Sequence, residues 1–98
     1  MKVVLFEADV DVRSAVARQL RSIGCAVAVF ADAWVALLFL LAHLKEVQGV
    51  FVNVDDPGQG TWLLQRLAFV SAPLAVATYS ARTPKRGARM YRLLGPGA

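Results

Sequence analysis

Short apolar runs and longer amphipathic stretches alternate along this chain of 98 residues. Residues 3–6 form an apolar, partly β-branched run, which is typical of a strand that is covered on both faces. The stretch that follows has apolar residues at helical spacing and arginines on the opposite side. Its apolar positions are Val12, Ala15, Val16, Leu20 and Ile23. Asp9 and Asp11 offer capping carboxylates before this predicted helix, and Gly24 offers a stop after it.

The same alternation continues through most of the chain. The predicted strands are 3–6, 25–30, 49–54, 74–78 and 88–94. The predicted helices run from about 12 to 23, from Asp32 to about 46, and from about 60 to 68. This order predicts one α/β domain, 1–98, with a parallel sheet flanked by helices. Functional side chains are then expected at the carboxyl ends of the strands, in 7–9, 53–56 and 78–80.

Several segments are similar to the receiver domain of bacterial response regulators. Residues 5–13 resemble its first strand, acidic pair and first helix, and residues 23–27 resemble the helix-Gly-strand junction that follows. Residues 52–60 resemble the phosphoacceptor strand and its Pro-Gly loop, one residue short. Residues 73–78 resemble the fourth strand, with Thr78 at the position of the switch hydroxyl. The resemblance implies a flavodoxin-like, doubly wound sheet of strand order 2-1-3-4-5.

The positions that carry receiver chemistry depart from the family pattern. Asn53 stands at the phosphoacceptor aspartate, and an amide has no carboxylate to attack a phosphoryl donor. Glu7 matches the first of two magnesium-holding acids, but Ala8 stands at the second and has no side-chain oxygen. Gly95 precedes Pro96 where the family has a lysine. We therefore expect a degenerate phosphoacceptor pocket, formed by Glu7, Ala8, Asn53 and Thr78, with no catalytic residue, metal or cofactor.

A rescued metal site is the alternative at this edge of the sheet. Asp9, Asp55 and Asp56 would lie near Glu7, and acidic oxygens are the ligands that hard cations prefer. Asp9 also suits a helix cap, and the Asp55-Asp56-Pro57-Gly58 stretch suits a turn. We interpret the three aspartates as a cap and turn residues.

The carboxyl-terminal part is short for a receiver. Residues 79–87 include Pro84 and are too few for an ordinary crossover helix, and little follows Leu94. Helices 4 and 5 of the family are therefore expected to be reduced or absent, which would leave apolar strand surface uncovered. The segment 88–94 is expected to be either an antiparallel edge strand or a strand that pairs with a second molecule.

The predicted second helix is apolar on all sides. Ala36, Leu37, Leu40 and Leu41 are expected to face the sheet. The chain is 57% hydrophobic, so the remaining apolar side chains are expected to serve an interface. This predicted interaction surface consists of Trp34, Val35, Leu38, Phe39 and Trp62, the last from the third helix.

The net charge of +4 is unevenly distributed, since all seven acidic residues lie at or before Asp56. The predicted basic segment consists of Arg82, Lys85, Arg86, Arg89 and Arg92.

The resemblance, the apolar surface and the basic segment leave three competing functions. The first is a phosphorylation-independent pseudo-receiver that binds itself or another signalling protein, in signalling or transcription regulation. The second is nucleic-acid binding through the basic segment, and the third and weakest is enzymatic, since no nucleophile-base pair is recognisable.

We expect no secretory signal, because the apolar run near the amino end, 3–6, is short and Glu7 ends it. The longest apolar run, 33–42, is about half of what a bilayer-spanning helix requires. Cys25 is the single cysteine, so no internal disulfide can form. A cytoplasmic protein without membrane contact is expected.

Overall fold

The computed structural model describes residues 1–55, 58–70, 74–80 and 91–93. For residues 91–93 it describes the backbone only. The strands are β1 (Lys2–Phe6), β2 (Ala26–Phe30), β3 (Gly49–Asn53), β4 (Ala75–Tyr79) and β5 (Tyr91–Leu93), and the helices are α1 (Val10–Ser22), α2 (Ala33–Ala42) and α3 (Gln59–Leu67). The sheet order is β2-β1-β3-β4-β5. The predicted fold and strand order are therefore confirmed.

The first four strands are parallel, whereas β5 runs antiparallel to β4. Tyr91 lies opposite Tyr79, and Leu93 lies opposite Ala77. The sequence leaves the direction of the last strand open, and the structure shows that β5 is an antiparallel strand at the edge of the sheet. Residues 88–90 and 94 of the predicted strand lie outside the described residues, as do 81–87, so the expected loss of helices 4 and 5 stays a prediction.

Aspartate side chains begin the first two helices. Asp9 Oδ1 accepts hydrogen bonds from the backbone N–H groups of Asp11 and Val12, as expected of an N-cap. Asp32 Oδ1 accepts in the same way from the N–H groups of Trp34 and Val35. Each carboxylate accepts hydrogen bonds from N–H groups that have no partner within the helix. Its negative charge also interacts favourably with the positive amino end of the helix dipole.

The end of α1 agrees with the prediction from the sequence, whereas the end of α2 does not. Gly24 has a φ of +97°, which only glycine adopts without strain, and it follows the end of α1 as predicted. The second helix ends at Ala42, four residues before the predicted end near 46, and that prediction is wrong. The chain turns at 43–46, which brings Val47 into the core, where it is 4% exposed.

The sheet separates two apolar clusters. Side chains alternate between the faces of a strand, so Val4 and Phe6 face α2 and α3, whereas Val3 and Leu5 face α1. Because both faces are covered, β1 can be apolar along its whole buried length. The larger cluster is completed by residues that include Ala36, Leu37, Leu40, Val50, Val52, Leu63 and Leu67.

Gly60 sets the approach of α3 to the end of β3. A Cβ atom at this position would collide with the backbone carbonyl of Asn53. Since backbone atoms cannot swing aside as a side chain can, only glycine permits this contact. The close approach places the first turn of α3 directly against Asn53, at the edge of the sheet where functional residues are expected.

Two consecutive leucines on α2 test this packing. Leu40 is fully buried and Leu41 is 50% exposed. We expect Leu40→Ala to lower the free energy of unfolding by about 2–5 kcal/mol, because it leaves a cavity in the core. Leu41→Ala is expected to change it by about 0.5 kcal/mol or less. Urea denaturation followed by circular dichroism measures both, and equal losses would contradict the inward placement of Leu40.

Candidate functional site

Three polar side chains meet at the carboxyl ends of three adjacent strands. Glu7 directly follows β1, Asn53 ends β3 and Tyr79 ends β4. In the sheet register Phe6 lies opposite Val52, and Asn53 lies opposite Tyr79. Glu7, Asn53 and Tyr79 are therefore at one level of the sheet and on the face that α1 covers.

The Glu7 carboxylate is the centre of this group and is 2% exposed. Its Oε1 accepts hydrogen bonds from Asn53 Nδ2 at 2.5 Å and from the Tyr79 hydroxyl at 2.6 Å. Its Oε2 accepts from the backbone N–H of Asp9 at 3.0 Å. A buried carboxylate is costly unless it is hydrogen-bonded, and here both oxygens have donors. We call Glu7, Asn53 and Tyr79 the polar triad.

The orientation of the Asn53 amide follows from its second contact. Its Oδ1 accepts from the backbone N–H of Asp55 at 2.7 Å, so its Nδ2 faces Glu7. Ser80 in turn donates its hydroxyl proton to Asp55 Oδ1, which ties the loop after β3 to the end of β4. An aspartate at 53 would have no N–H for Glu7 and would bring a second carboxylate against the first. The amide therefore suits a buried Glu7 where the family's carboxylate would not.

Tyr79 acts as a hydrogen-bond donor that keeps its proton. Burial raises the pKa of Tyr79 far above its ordinary value of 10.0, and the hydrogen bond to Glu7 and the negative charges of Glu7 and Asp55 raise it further. The side chain is 2% exposed, and its ring packs in the cluster on the α1 face. Among the described residues, every buried side-chain nitrogen and oxygen has a hydrogen-bond partner.

The other two residues of the predicted pocket lie apart from the triad. Ala8 is exposed in the loop before α1. Thr78 pairs with Val52, one residue before the level of Glu7. Because side chains alternate along a strand, the side chain of Thr78 lies on the other face of the sheet from that of Tyr79. The hydroxyl that reaches Glu7 is thus that of Tyr79, which the sequence reasoning missed.

The predicted interaction surface is largely exposed on α2. Trp34 is 57% exposed, Val35 48% and Leu38 49%. Leu41 is 50% exposed, so the prediction that it faces the sheet is wrong. The helix turns about 100° per residue, and its inward stripe is already filled by Ala33, Ala36, Leu37 and Leu40. We call Trp34, Val35, Leu38 and Leu41 the α2 outer face.

The other two predicted surface residues are half-buried and flank this face. Trp62 on α3 has its ring centroid 5.7 Å from that of Trp34, which joins the two helices. Arg66 lies over the Trp62 ring, 5.5 Å from its centroid. Phe39 packs between Phe30 and His43, with its ring centroid 5.1 Å from that of Phe30 and 4.1 Å from that of His43. Phe39 thus supports the helix from its side, next to the sheet.

A solved structure is similar to this arrangement. It is the crystal structure of a response regulator receiver protein from Burkholderia phymatum, with a TM-score of 0.67 and 27% sequence identity over 85% of this chain and 67% of that chain. The present chain is a receiver-like domain. No protein-family model and no curated protein sequence matches it.

The receiver-like domain does not present a fitting magnesium site at the polar triad. Both carboxylate oxygens of Glu7 accept protein hydrogen bonds, and Asn53 turns its NH₂ group toward them. Asp9 directs Oδ1 to the first turn of α1. Within the described ranges, no three His, Cys, Asp or Glu side chains are grouped as metal ligands. A hard cation needs several free oxygens, and this donor set does not offer them.

Other predicted features of the receiver-like domain fall outside the described residues. They are Arg82, Lys85, Arg86 and Arg89 of the basic segment, Asp56 of the turn, and Gly95. Arg92 lies in β5 opposite Thr78, with only its backbone described. The nucleic-acid alternative therefore stays a prediction. In the part of the chain that is described, no helix has the length and apolarity to cross a membrane.

The triad should couple Tyr79 to Glu7 energetically. We expect Tyr79→Phe to lower the free energy of unfolding by about 1–3 kcal/mol, because a buried carboxylate oxygen loses one donor. In a Glu7→Gln background the same change should cost less, since the acceptor is then uncharged. A double-mutant cycle from urea denaturation measures this coupling. An identical cost in both backgrounds would contradict it.

The raised pKa of Tyr79 predicts alkaline destabilisation. The folded domain holds the phenol proton more tightly than the unfolded chain, whose tyrosine titrates near 10.0. The stabilisation is complete below that pH and is lost as pH rises through it toward the folded pKa, by at most about 1.4 kcal/mol per pH unit. Denaturation at a series of pH values measures the slope. In Tyr79→Phe this part of the slope should vanish, and an unchanged slope would contradict the assignment.

Proposed function

We propose that this receiver-like domain is a pseudo-receiver that acts in signalling or transcription regulation by binding another protein chain, without accepting a phosphoryl group. The similar Burkholderia phymatum structure is that of a response regulator receiver protein, which supports a signalling role. The binding partner is a second copy of the chain or another signalling protein.

The polar triad supports independence from phosphorylation. A receiver transfers a phosphoryl group to an aspartate carboxylate, and Asn53 offers an amide whose oxygen and nitrogen are both hydrogen-bonded. The nearest carboxylate, Glu7, is 2% exposed and accepts three hydrogen bonds. A nucleophile must approach its phosphoryl donor closely with a free lone pair, which this arrangement opposes.

The main support for the binding role is the exposure of the α2 outer face. Residues 33–42 contain no charged or polar side chain, yet four large apolar side chains of this helix are about half exposed. A surface helix of a monomeric domain normally turns polar residues outward. A contiguous apolar strip with a tryptophan at one end is typical of a protein contact, where truncation of an aromatic anchor costs about 2 kcal/mol or more.

Site-specific photocrosslinking in cells that express the full chain tests this role. A photoreactive amino acid at Leu38, on the α2 outer face, should yield a covalent adduct with one defined protein chain. The control is the same amino acid at Ala15, an exposed position of α1. Mass spectrometry identifies the adducts. Absence of any adduct at 38, or equal yields at 38 and 15, would contradict the proposal.

A second arm tests the absence of phosphotransfer. The purified chain is incubated with acetyl phosphate and Mg²⁺, and its intact mass is measured. We expect no added phosphoryl group, because Asn53 cannot form an acyl phosphate. A stoichiometric phosphoryl adduct, at Asp55 or elsewhere at this edge of the sheet, would overturn phosphorylation independence and leave the binding role standing.

A further inference from the structure

We propose that the α2 outer face binds a second copy of this chain, with the two α2 helices antiparallel about a twofold axis close to Leu38. The inference rests on the proposed function and goes further, because it names the occupant of the face and the geometry of the contact.

The spacing of the exposed residues suits pairing with itself. Val35 and Leu41 each lie three residues from Leu38, and the three side chains are exposed to nearly the same extent, 48%, 50% and 49%. In an antiparallel pair centred on Leu38, Val35 faces Leu41 of the second copy, and Leu41 faces its Val35. A twofold contact requires this kind of self-complementarity. Trp34 then covers Ala42 of the second copy, so that a large side chain meets a small one.

Charges at the two ends of α2 favour the antiparallel direction. Asp32 lies at the amino end, where its carboxylate caps the helix. Lys45 lies three residues beyond the carboxyl end, and the neighbouring Glu46 is paired with Lys2 at 3.5 Å. An antiparallel pair brings Asp32 toward Lys45 of the second copy, whereas a parallel pair would bring like charges together. Opposed helix dipoles favour the same direction.

Trp34 already contacts a neighbouring helix within the single chain. Its ring rests against Trp62 of α3, with centroids 5.7 Å apart, and Arg66 covers the Trp62 ring. An aromatic anchor that is already ordered loses less conformational entropy on binding. The face thus has an aromatic pair at one end and charges of opposite sign at its two ends.

Disulfide trapping distinguishes the two directions. In a Cys25→Ser background, Val35→Cys and Leu41→Cys are purified separately, then oxidised either alone or as an equimolar mixture. We expect the mixture to form a covalent heterodimer about tenfold faster than either variant forms a homodimer, because only the mixed pair is brought together. Faster homodimers of each variant would show a parallel pair and would overturn the inference. Circular dichroism verifies that each variant is folded.

Light scattering over a concentration series gives a second measurement that does not use cysteine. We expect the unmodified chain to dimerise and Leu38→Glu to be monomeric. Asp32→Asn keeps the capping oxygen and removes the charge, and we expect it to raise the dimer Kd by up to about fivefold. Ala15→Glu is the control and should leave the Kd unchanged.

The outcomes separate this inference from the proposed function. A chain that stays monomeric, and that forms an adduct at position 38 with a different protein in cells, overturns the self-association and leaves the binding role intact. A monomer with no adduct at position 38 overturns both.

Discussion

The hydrogen bonding of the buried Glu7 carboxylate is the constraint on which this edge of the domain depends. A charge in an apolar interior is tolerated only when its oxygens are hydrogen-bonded. Here the donors come from the ends of β3 and β4 and from the loop before α1. One side chain thereby ties three parallel strands together at a single level. Asn53 and Tyr79 meet this constraint, since each provides an uncharged donor.

The same constraint connects the structure with the proposed loss of phosphotransfer. An active receiver would need free carboxylate oxygens at this edge, and free oxygens require solvent or a cation to compensate them. This chain satisfies the carboxylate from within, and the pKa of Tyr79 is raised so that its proton stays in place. Both oxygens of the Glu7 carboxylate are thus engaged within the domain, while the side chains of the α2 outer face are about half exposed.

Much of the architecture could be read from local patterns. Apolar runs bounded by turn residues predicted the strands, because a strand covered on both faces has no polar position to spare. Asp9 and Asp32 predicted helix starts through capping. Of the four predicted pocket residues, the structure brings Glu7 and Asn53 together and leaves Ala8 and Thr78 apart from them. The end of α2 was misplaced, and Leu41 was assigned to the wrong side. In a wholly apolar helix, periodicity carries no information on which side faces the core.

The sequence by itself determined the order of the strands and helices, because hydrophobic periodicity, capping aspartates and turn residues act between near neighbours along the chain. The alternation of strands and helices also indicated a parallel sheet, with Glu7 and Asn53 at the same edge. Only the tertiary structure decided that Tyr79 rather than Thr78 reaches Glu7, since the choice depends on the register between β3 and β4. It also decided that β5 runs antiparallel and that Trp34 rests on Trp62. These contacts join residues far apart in the chain, and their geometry is set by strand pairing and helix packing, which no local pattern records.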